Sequence, residues 1–225
     1  MKTIIVRSID RVDARAVESL AAYGVATIHE ALGRTGLMHP YMRPLFPTAR
    51  VAGTAVTVLS HAGDNLMVHA ALGVCRPGDV LVVALKSEST DGMFGELLAV
   101  SCVAQGVRGL VIDAGVRDSD AITTMGFPVW SKAICAQGTV KATPGSVNVP
   151  ILCAGALVEP GDAVVGDRDG VVIVPRHAAV EVGRLAGARE TREEATRARL
   201  RAGELGLDFY GLRAKLKELG VEWVG

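Results

Sequence analysis

Apolar and polar positions along the 225 residues alternate between helical spacing and short unbroken apolar runs. Residues 10–33 read as two short helices: Val12, Ala16, Val17 and Leu20 recur at helical spacing, and Gly24 breaks the run. Residues 36–47 hold three prolines and read as a loop, and residues 51–59, rich in Val and Thr, read as a strand. A regular rhythm follows. It predicts a helix over 64–73, a turn at Pro77-Gly78-Asp79, a buried strand over 80–85 and a helix over 94–105 stopped by Gly106. A strand at 110–112, a short helix over 118–125 and a third strand from Phe127 complete it. Strands and helices in strict alternation imply parallel strands with crossover helices.

The pattern changes over residues 132–175. Glu159-Pro160-Gly161-Asp162 and Asp167-Arg168-Asp169-Gly170 are turn chemistry between short strands, the last of which is Val171-Val172-Ile173-Val174. Residues 178–200 read as one charged helix interrupted at Gly183 and Gly187, with i,i+4 support such as Glu193 to Arg197. The tail, with Phe209, Tyr210, Leu212, Leu216, Leu219 and Trp223, is amphipathic. The whole predicts an α/β layer structure with N-terminal helices, a β-rich end and a C-terminal helical extension.

Composition narrows the function classes. An apolar share of 49% supports a sizeable core. Lys+Arg and Asp+Glu are both 24, so bulk charge argues against a nucleic-acid binder, and aromatics at 4% argue against a base-stacking surface. No stretch is apolar enough to predict a membrane span, and no N-terminal run resembles a secretory signal. Cys75, Cys102, Cys135 and Cys153 form no CxxC pair and read as reduced, mostly buried thiols of a cytoplasmic protein.

The common nucleotide, zincin and serine-nucleophile motifs are absent, and the only ligand-like histidine spacing, His61 to His69, is weak. Chemistry is expected instead in two polar segments that follow buried strands and open helices. One runs from Ser87 to Leu98 and the other from Asp113 to Asp118. In α/β sheets ligands collect beyond the carboxyl ends of strands, where these loops should lie side by side. The backbone at Gly95, Glu96, Leu97 and Leu98 opens a helix and could hold a carboxylate through N–H groups. Arg117 could bind a second oxygen or stabilise an enolate, and Asp118 is a hard oxygen ligand suited to Mg²⁺ or Mn²⁺. From the pattern alone, Asp118 reads equally as an N-cap, Arg117 as a surface ion pair and Glu96 as a first-turn acid. A Schiff-base mechanism would draw on Lys86, Lys132 or Lys141.

Gly95-Glu96-Leu97-Leu98-Ala99, Val111-Ile112-Asp113-Ala114-Gly115-Val116-Arg117-Asp118 and Gly126-Phe127-Pro128-Val129-Trp130, in that order, resemble the family that joins class II pyruvate aldolases to the regulator of ribonuclease E activity. Gly63-Asp64-Asn65, Pro77-Gly78-Asp79 and Asp169-Gly170-Val171-Val172 extend the resemblance. Trp130-Ser131-Lys132-Ala133 and the tail Ala202-Gly203-Glu204-Leu205-Gly206-Leu207-Asp208 resemble its 4-carboxy-4-hydroxy-2-oxoadipate-cleaving branch. The resemblance implies a swivelling β/β/α catalytic domain over residues 1–182, and an extension over 183–225 that contributes to a homotrimer or homohexamer with sites between subunits. It implies cleavage of 4-carboxy-4-hydroxy-2-oxoadipate or 4-hydroxy-4-methyl-2-oxoglutarate to pyruvate plus oxaloacetate or pyruvate, with oxaloacetate decarboxylation. Carried over by position, Gly95, Glu96, Leu97, Leu98 and Arg117 bind the small 2-oxo acid, Arg117 also stabilising the enolate. Asp118 is then the direct ligand of Mg²⁺ or Mn²⁺. Glu96 reaches the metal's water shell, as does a helical glutamate of a neighbouring subunit, for which Glu193 is the candidate and Glu194 the next. The alternative is a protein-binding regulator of an RNA-processing enzyme on the same fold.

Overall fold

The structure is a computed structural model and describes residues 3–225. They fall into two compact units, one ending at Ala186 and one spanning Gly187–Gly225.

The first unit contains α1 (Ala14–Ala21), α2 (Val25–Ala31), β1 (Arg43–Pro44), β2 (Val51–Ser60), α3 (Leu66–Leu72), β3 (Asp79–Leu85), β4 (Gly92–Phe94) and α4 (Glu96–Ala104). It continues with β5 (Gly109–Val116), α5 (Ser119–Met125), β6 (Val129–Ile134), β7 (Ser146–Val147), β8 (Ile151–Cys153), β9 (Ala156–Val158), β10 (Ala163–Asp167), β11 (Gly170–Val174) and the start of α6 (Ala179–Arg201). The main sheet has the order β1-β6-β5-β3-β2-β10-β11. Its centre, β2, β3, β5 and β6, is parallel, as the alternation of strands and helices predicts. β1, β10 and β11 add antiparallel edges. This is the expected α/β architecture, with N-terminal helices and a helical C-terminal part.

The central strands are apolar at nearly every position because both faces are covered. Val56, Val58, Leu81, Val83, Leu110 and Ile112 face one layer, packed with Met67 of α3, Leu98 of α4 and Ile122 of α5. Ala55, Val80, Val82, Val111 and Trp130 face the other, closed by Cys153, Val158 and Ile173. Trp130 donates its indole N–H to the Asp167 carbonyl at 2.8 Å, so the largest buried side chain leaves no orphaned donor. Leu20 of α1, Ile28 of α2 and Ala179 and Val182 of α6 form a third cluster over β10 and β11.

Three local expectations change. The segment read as a loop before α4 contains β4, which extends the sheet along the end of β5. The proline-rich loop contains β1, paired with β6. α6 is continuous through Gly183 and Gly187 rather than interrupted. At Gly183 the reason is a close approach: a Cβ there would stand 2.8 Å from Ser19 Oγ on α1. The glycine lets α6 pack closely on α1 and does not end the helix.

The second unit holds the rest of α6 with α7 (Gly206–Phe209) and α8 (Leu212–Glu218). α7 and α8 bury no residue. Ion pairs of Arg197 with Glu190 and Glu194, and of Arg199 with Glu204, run along it, and the Arg199 guanidinium lies 4.2 Å from the Phe209 ring centroid. Among the described residues no helix is long and apolar enough to cross a membrane. All four cysteines are free; Cys102 and Cys153 are buried, Cys75 and Cys135 half-buried.

Candidate active site

The site forms where β5 ends. Its last residues hydrogen-bond to both neighbours: Arg117 N–H donates to the Phe94 carbonyl at 2.9 Å, and Cys135 N–H donates to the Val116 carbonyl at 2.8 Å. The chain entering α4 and the chain leaving β6 therefore flank Arg117 and Asp118. The two polar loops do lie side by side at the carboxyl edge of the parallel strands.

Asp118 precedes α5 but does not cap it. Its backbone is left-handed, φ 56° and ψ 36°, and its side chain makes no hydrogen bond to its own helix. Asp is among the few residues that enter this region at modest cost. The turn aims the carboxylate sideways, and Oδ2 accepts the N–H of Glu96 at 3.0 Å, at the start of α4. The Arg117 Nε stands 3.7 Å from the same oxygen. Oδ1 has no partner among the described residues, and the side chain is 43% exposed. The N-cap reading of Asp118 is thus corrected: the carboxylate closes a neighbouring helix and keeps one oxygen open.

Gly95, Glu96, Leu97 and Leu98 form the mouth opposite. The N–H groups of Leu98 and Ala99 both turn onto the Gly95 carbonyl. With the Glu96 N–H on Asp118, the Leu97 N–H is left without a partner among the described residues. Gly95 must lack a side chain, since a Cβ there would lie 2.4 Å from Asp118 Oδ2. Leu98 is buried in the core and fixes the turn, whereas Leu97 is 82% exposed. Glu96, Arg117 and Asp118 line one cavity of about 620 Å³ together with Ser119, Ile134 and Cys135.

Glu193 and Glu194 lie on α6 in the second unit, Glu193 paired with Arg189 at 2.7 Å and Glu194 with Arg197 and Arg201. Every residue lining the cavity belongs to the first unit. Lys132 stands 3.9 Å from Asp113, 3.8 Å from Glu88 and 5.4 Å from the Tyr41 ring centroid. These neighbours are charged and polar, unlike the apolar pocket that activates a Schiff-base amine.

The sequence places Asp64 at the start of a helix but gives no sign of its long-range partners. It is buried, and its carboxylate accepts the N–H groups of Leu66, Ala142 and Thr143 at 2.9, 2.9 and 2.6 Å. Burial pushes its pKa up, but the backbone donors outweigh burial and hold it below the ordinary value of 3.8. The signal was an aspartate two residues before the first residue of a helix, which marks a local turn but not the distant loop it binds.

Comparison with known proteins decides the family. Residues 25–173 match the RraA-like family, described as Aldolase/RraA. The chain belongs to this family. The matched span takes in β2 to β6 and the whole cavity, and stops before α6, so Glu193 lies outside it. A relative from Halalkalibacterium halodurans, named "Putative 4-hydroxy-4-methyl-2-oxoglutarate aldolase", is 33% identical over 168 residues, covering 75% of this chain and 80% of the relative. The crystal structure of Streptomyces coelicolor RraAS2, described as an unusual member of the RNase ES inhibitor RraA protein family, is 30% identical. Its TM-score is 0.76, with 84% of this chain and 99% of that one covered. The RNA-processing inhibitor RraA from Thermus thermophilis shares the fold at 24% identity and a TM-score of 0.61, over 68% of this chain and 93% of that one. The chain is thus similar both to a protein named as a putative aldolase and to a member of the RNase ES inhibitor RraA protein family, and the chemistry of the site has to separate the two.

Proposed function

We propose that this RraA-like chain is a divalent-metal-dependent pyruvate aldolase. It cleaves 4-carboxy-4-hydroxy-2-oxoadipate or 4-hydroxy-4-methyl-2-oxoglutarate to pyruvate plus oxaloacetate or pyruvate, and it decarboxylates oxaloacetate. The observation that carries this reading is the pairing at the end of β5: a guanidinium and a half-exposed carboxylate with one open oxygen, facing an unpartnered backbone N–H.

Among the described residues no group of three or more His, Cys, Asp or Glu is arranged around a metal position. One open carboxylate oxygen on Asp118, with Glu96 on the same cavity, fits a hard cation that keeps most of its water. Mg²⁺ or Mn²⁺ held there supplies Lewis-acid polarisation of the keto oxygen. The chain's own groups do the rest. The Leu97 N–H and the Arg117 guanidinium orient the substrate carboxylate. As the C4 hydroxyl passes its proton to a water molecule beside the Glu96 carboxylate on the same cavity, the C3–C4 bond breaks, its electrons enter the C2–C3 unit, and C4 becomes the carbonyl of the departing product; the proton returns from that water to C3. Arg117 offsets the negative charge on the enolate oxygen until C3 is reprotonated to give pyruvate. Oxaloacetate enters by the same route, with carbon dioxide as the departing group.

The outer face of α4 exposes Leu97, Val100 and Val103 at helical spacing beside the mouth, which supports a site completed by a second copy of the chain in a homotrimer or homohexamer. In this reading residues 1–182 are the catalytic domain and 183–225 the extension that reaches the neighbour. The likeness to RraAS2 favours a second reading, a protein-binding regulator, which has no need of a guanidinium beside an open carboxylate oxygen. A coupled pyruvate-release assay on both aldols and on oxaloacetate, with and without Mg²⁺, tests the proposal. Pyruvate release that EDTA abolishes and Mg²⁺ restores is expected. No release from any of the three overturns it.

A further inference from the structure

We infer that Gly138 is a positioning residue for Arg117: its missing side chain sets where the guanidinium stands. The inference rests on the aldolase reading for its kinetic consequence, and on geometry alone for its structural one.

Arg117 runs between glycines. A Cβ at Gly92 would lie 3.1 Å from Arg117 Cβ, one at Gly95 would lie 3.1 Å from both Cγ and Nε, and one at Gly138 would lie 3.1 Å from Nη1. The arginine is therefore fitted along its length, with Gly138 meeting the terminal nitrogen. The three glycines are not equivalent. Gly92 is hemmed in by the Cys135 carbonyl, at 2.3 Å from a Cβ, and Gly95 by Asp118, at 2.4 Å, so any substitution there would also disturb backbone or Asp118. At Gly138, among the described residues other than its two chain neighbours, the Arg117 nitrogen is the only atom a Cβ would meet within 4 Å. Gly138 is exposed and its φ lies outside the left-handed range, so alanine is compatible with its backbone.

The strap that carries Gly138 is tied at both ends. Cys135 N–H bonds to the Val116 carbonyl, Gly92 N–H to the Gln137 carbonyl at 2.8 Å, and Val140 N–H to the Gly63 carbonyl at 2.9 Å. Ala142 and Thr143 N–H then close onto Asp64. The strap cannot easily retreat, so the guanidinium has to yield. A contact at 3.1 Å moves it by a few tenths of an ångström. Because a misplacement of about 1 Å at a reacting centre costs about 10²-fold, the expected loss is about three- to tenfold.

The test is a double-mutant cycle on the full-length chain, read by turnover and by NMR of the Arg117 Nε–H group. Gly138→Ala is expected to lower kcat about three- to tenfold, leave the thermal midpoint within about 2 °C of the parent, and shift the Arg117 resonance. In an Arg117→Ala background the same substitution is expected to change turnover less than twofold, because the group it displaces is gone. An equal loss in both backgrounds, or an unmoved Arg117 resonance, overturns the inference. If the unsubstituted chain releases no pyruvate, the aldolase reading falls by itself, and the Arg117 resonance still decides whether Gly138 sets the guanidinium.

Discussion

Arg117 and Asp118 are adjacent in sequence but separable in function, because the left-handed turn at Asp118 gives each its own direction. Arg117→Ala removes a donor aimed at the developing enolate charge while touching no core cluster. It is expected to lower kcat by about 10²–10³-fold with the fold intact. Steady-state kinetics beside far-UV circular dichroism check this, and near-normal turnover would remove Arg117 from the chemistry. Asp118→Asn makes a finer cut. Asparagine tolerates φ 56° and still accepts the Glu96 N–H, so the turn and the start of α4 survive while the negative charge is lost. Turnover and Mg²⁺ dependence are expected to vanish together, with the thermal midpoint within a few degrees of the parent. The pair shows what was legible at this scale. The residue types and their order pointed to the site, and the resemblance gave them roles. The backbone handedness at 118 was not legible, because an aspartate before a helix has the same local pattern whether it caps that helix or closes another.

At the scale of elements, the long apolar runs made β2, β3, β5 and β6 readable, since strands covered on both faces need no alternation. The short elements were not readable. β4 has three residues inside a polar segment, and its pairing with β5 shifts register between Gly92 and Phe94. Pairing between residues so far apart leaves no periodic trace. The same holds for Asp64, whose contacts span 78 and 79 residues to Ala142 and Thr143. Its carboxylate joins the start of α3 to the loop that ends the strap over Arg117, so its charge state matters beyond its own turn. A carboxylate held below its ordinary pKa contributes stability that is complete above the unfolded value of 3.8 and fades as pH falls through the lower folded value. Asp64→Asn replaces one acceptor oxygen with an amide that confronts the Ala142 and Thr143 donors. It is expected to cost about 2 kcal/mol at pH 7. Urea unfolding at pH 7 and pH 3 checks the sign: the gap between parent and variant should narrow in acid, and a gap that stays constant would mean the carboxylate's charge is not what binds the loop.

At the scale of the whole molecule, each unit leaves apolar side chains exposed. The first unit carries a complete core and every cavity-lining residue, yet its mouth exposes Leu97, Val100 and Val103. The second unit buries no residue in α7 or α8 and displays Leu219, Val221 and Trp223. Such surfaces are costly in isolation and ordinary at an interface between copies. If Glu193 of one copy serves the Arg117 site of another, Glu193→Gln is expected to lower turnover at least about tenfold, in the range of a positioned acid–base group. Mixing then supplies a sharper test. Arg117→Ala chains and Glu193→Gln chains are each nearly inactive alone, but random co-assembly places an intact Arg117 opposite an intact Glu193 in roughly a quarter of the sites. Co-expressed subunits are therefore expected to recover about a quarter of parental turnover, while the separately purified proteins recover none until they are unfolded and refolded together. If Glu193 served its own chain, every hybrid site would lack one group or the other, and mixing would restore nothing.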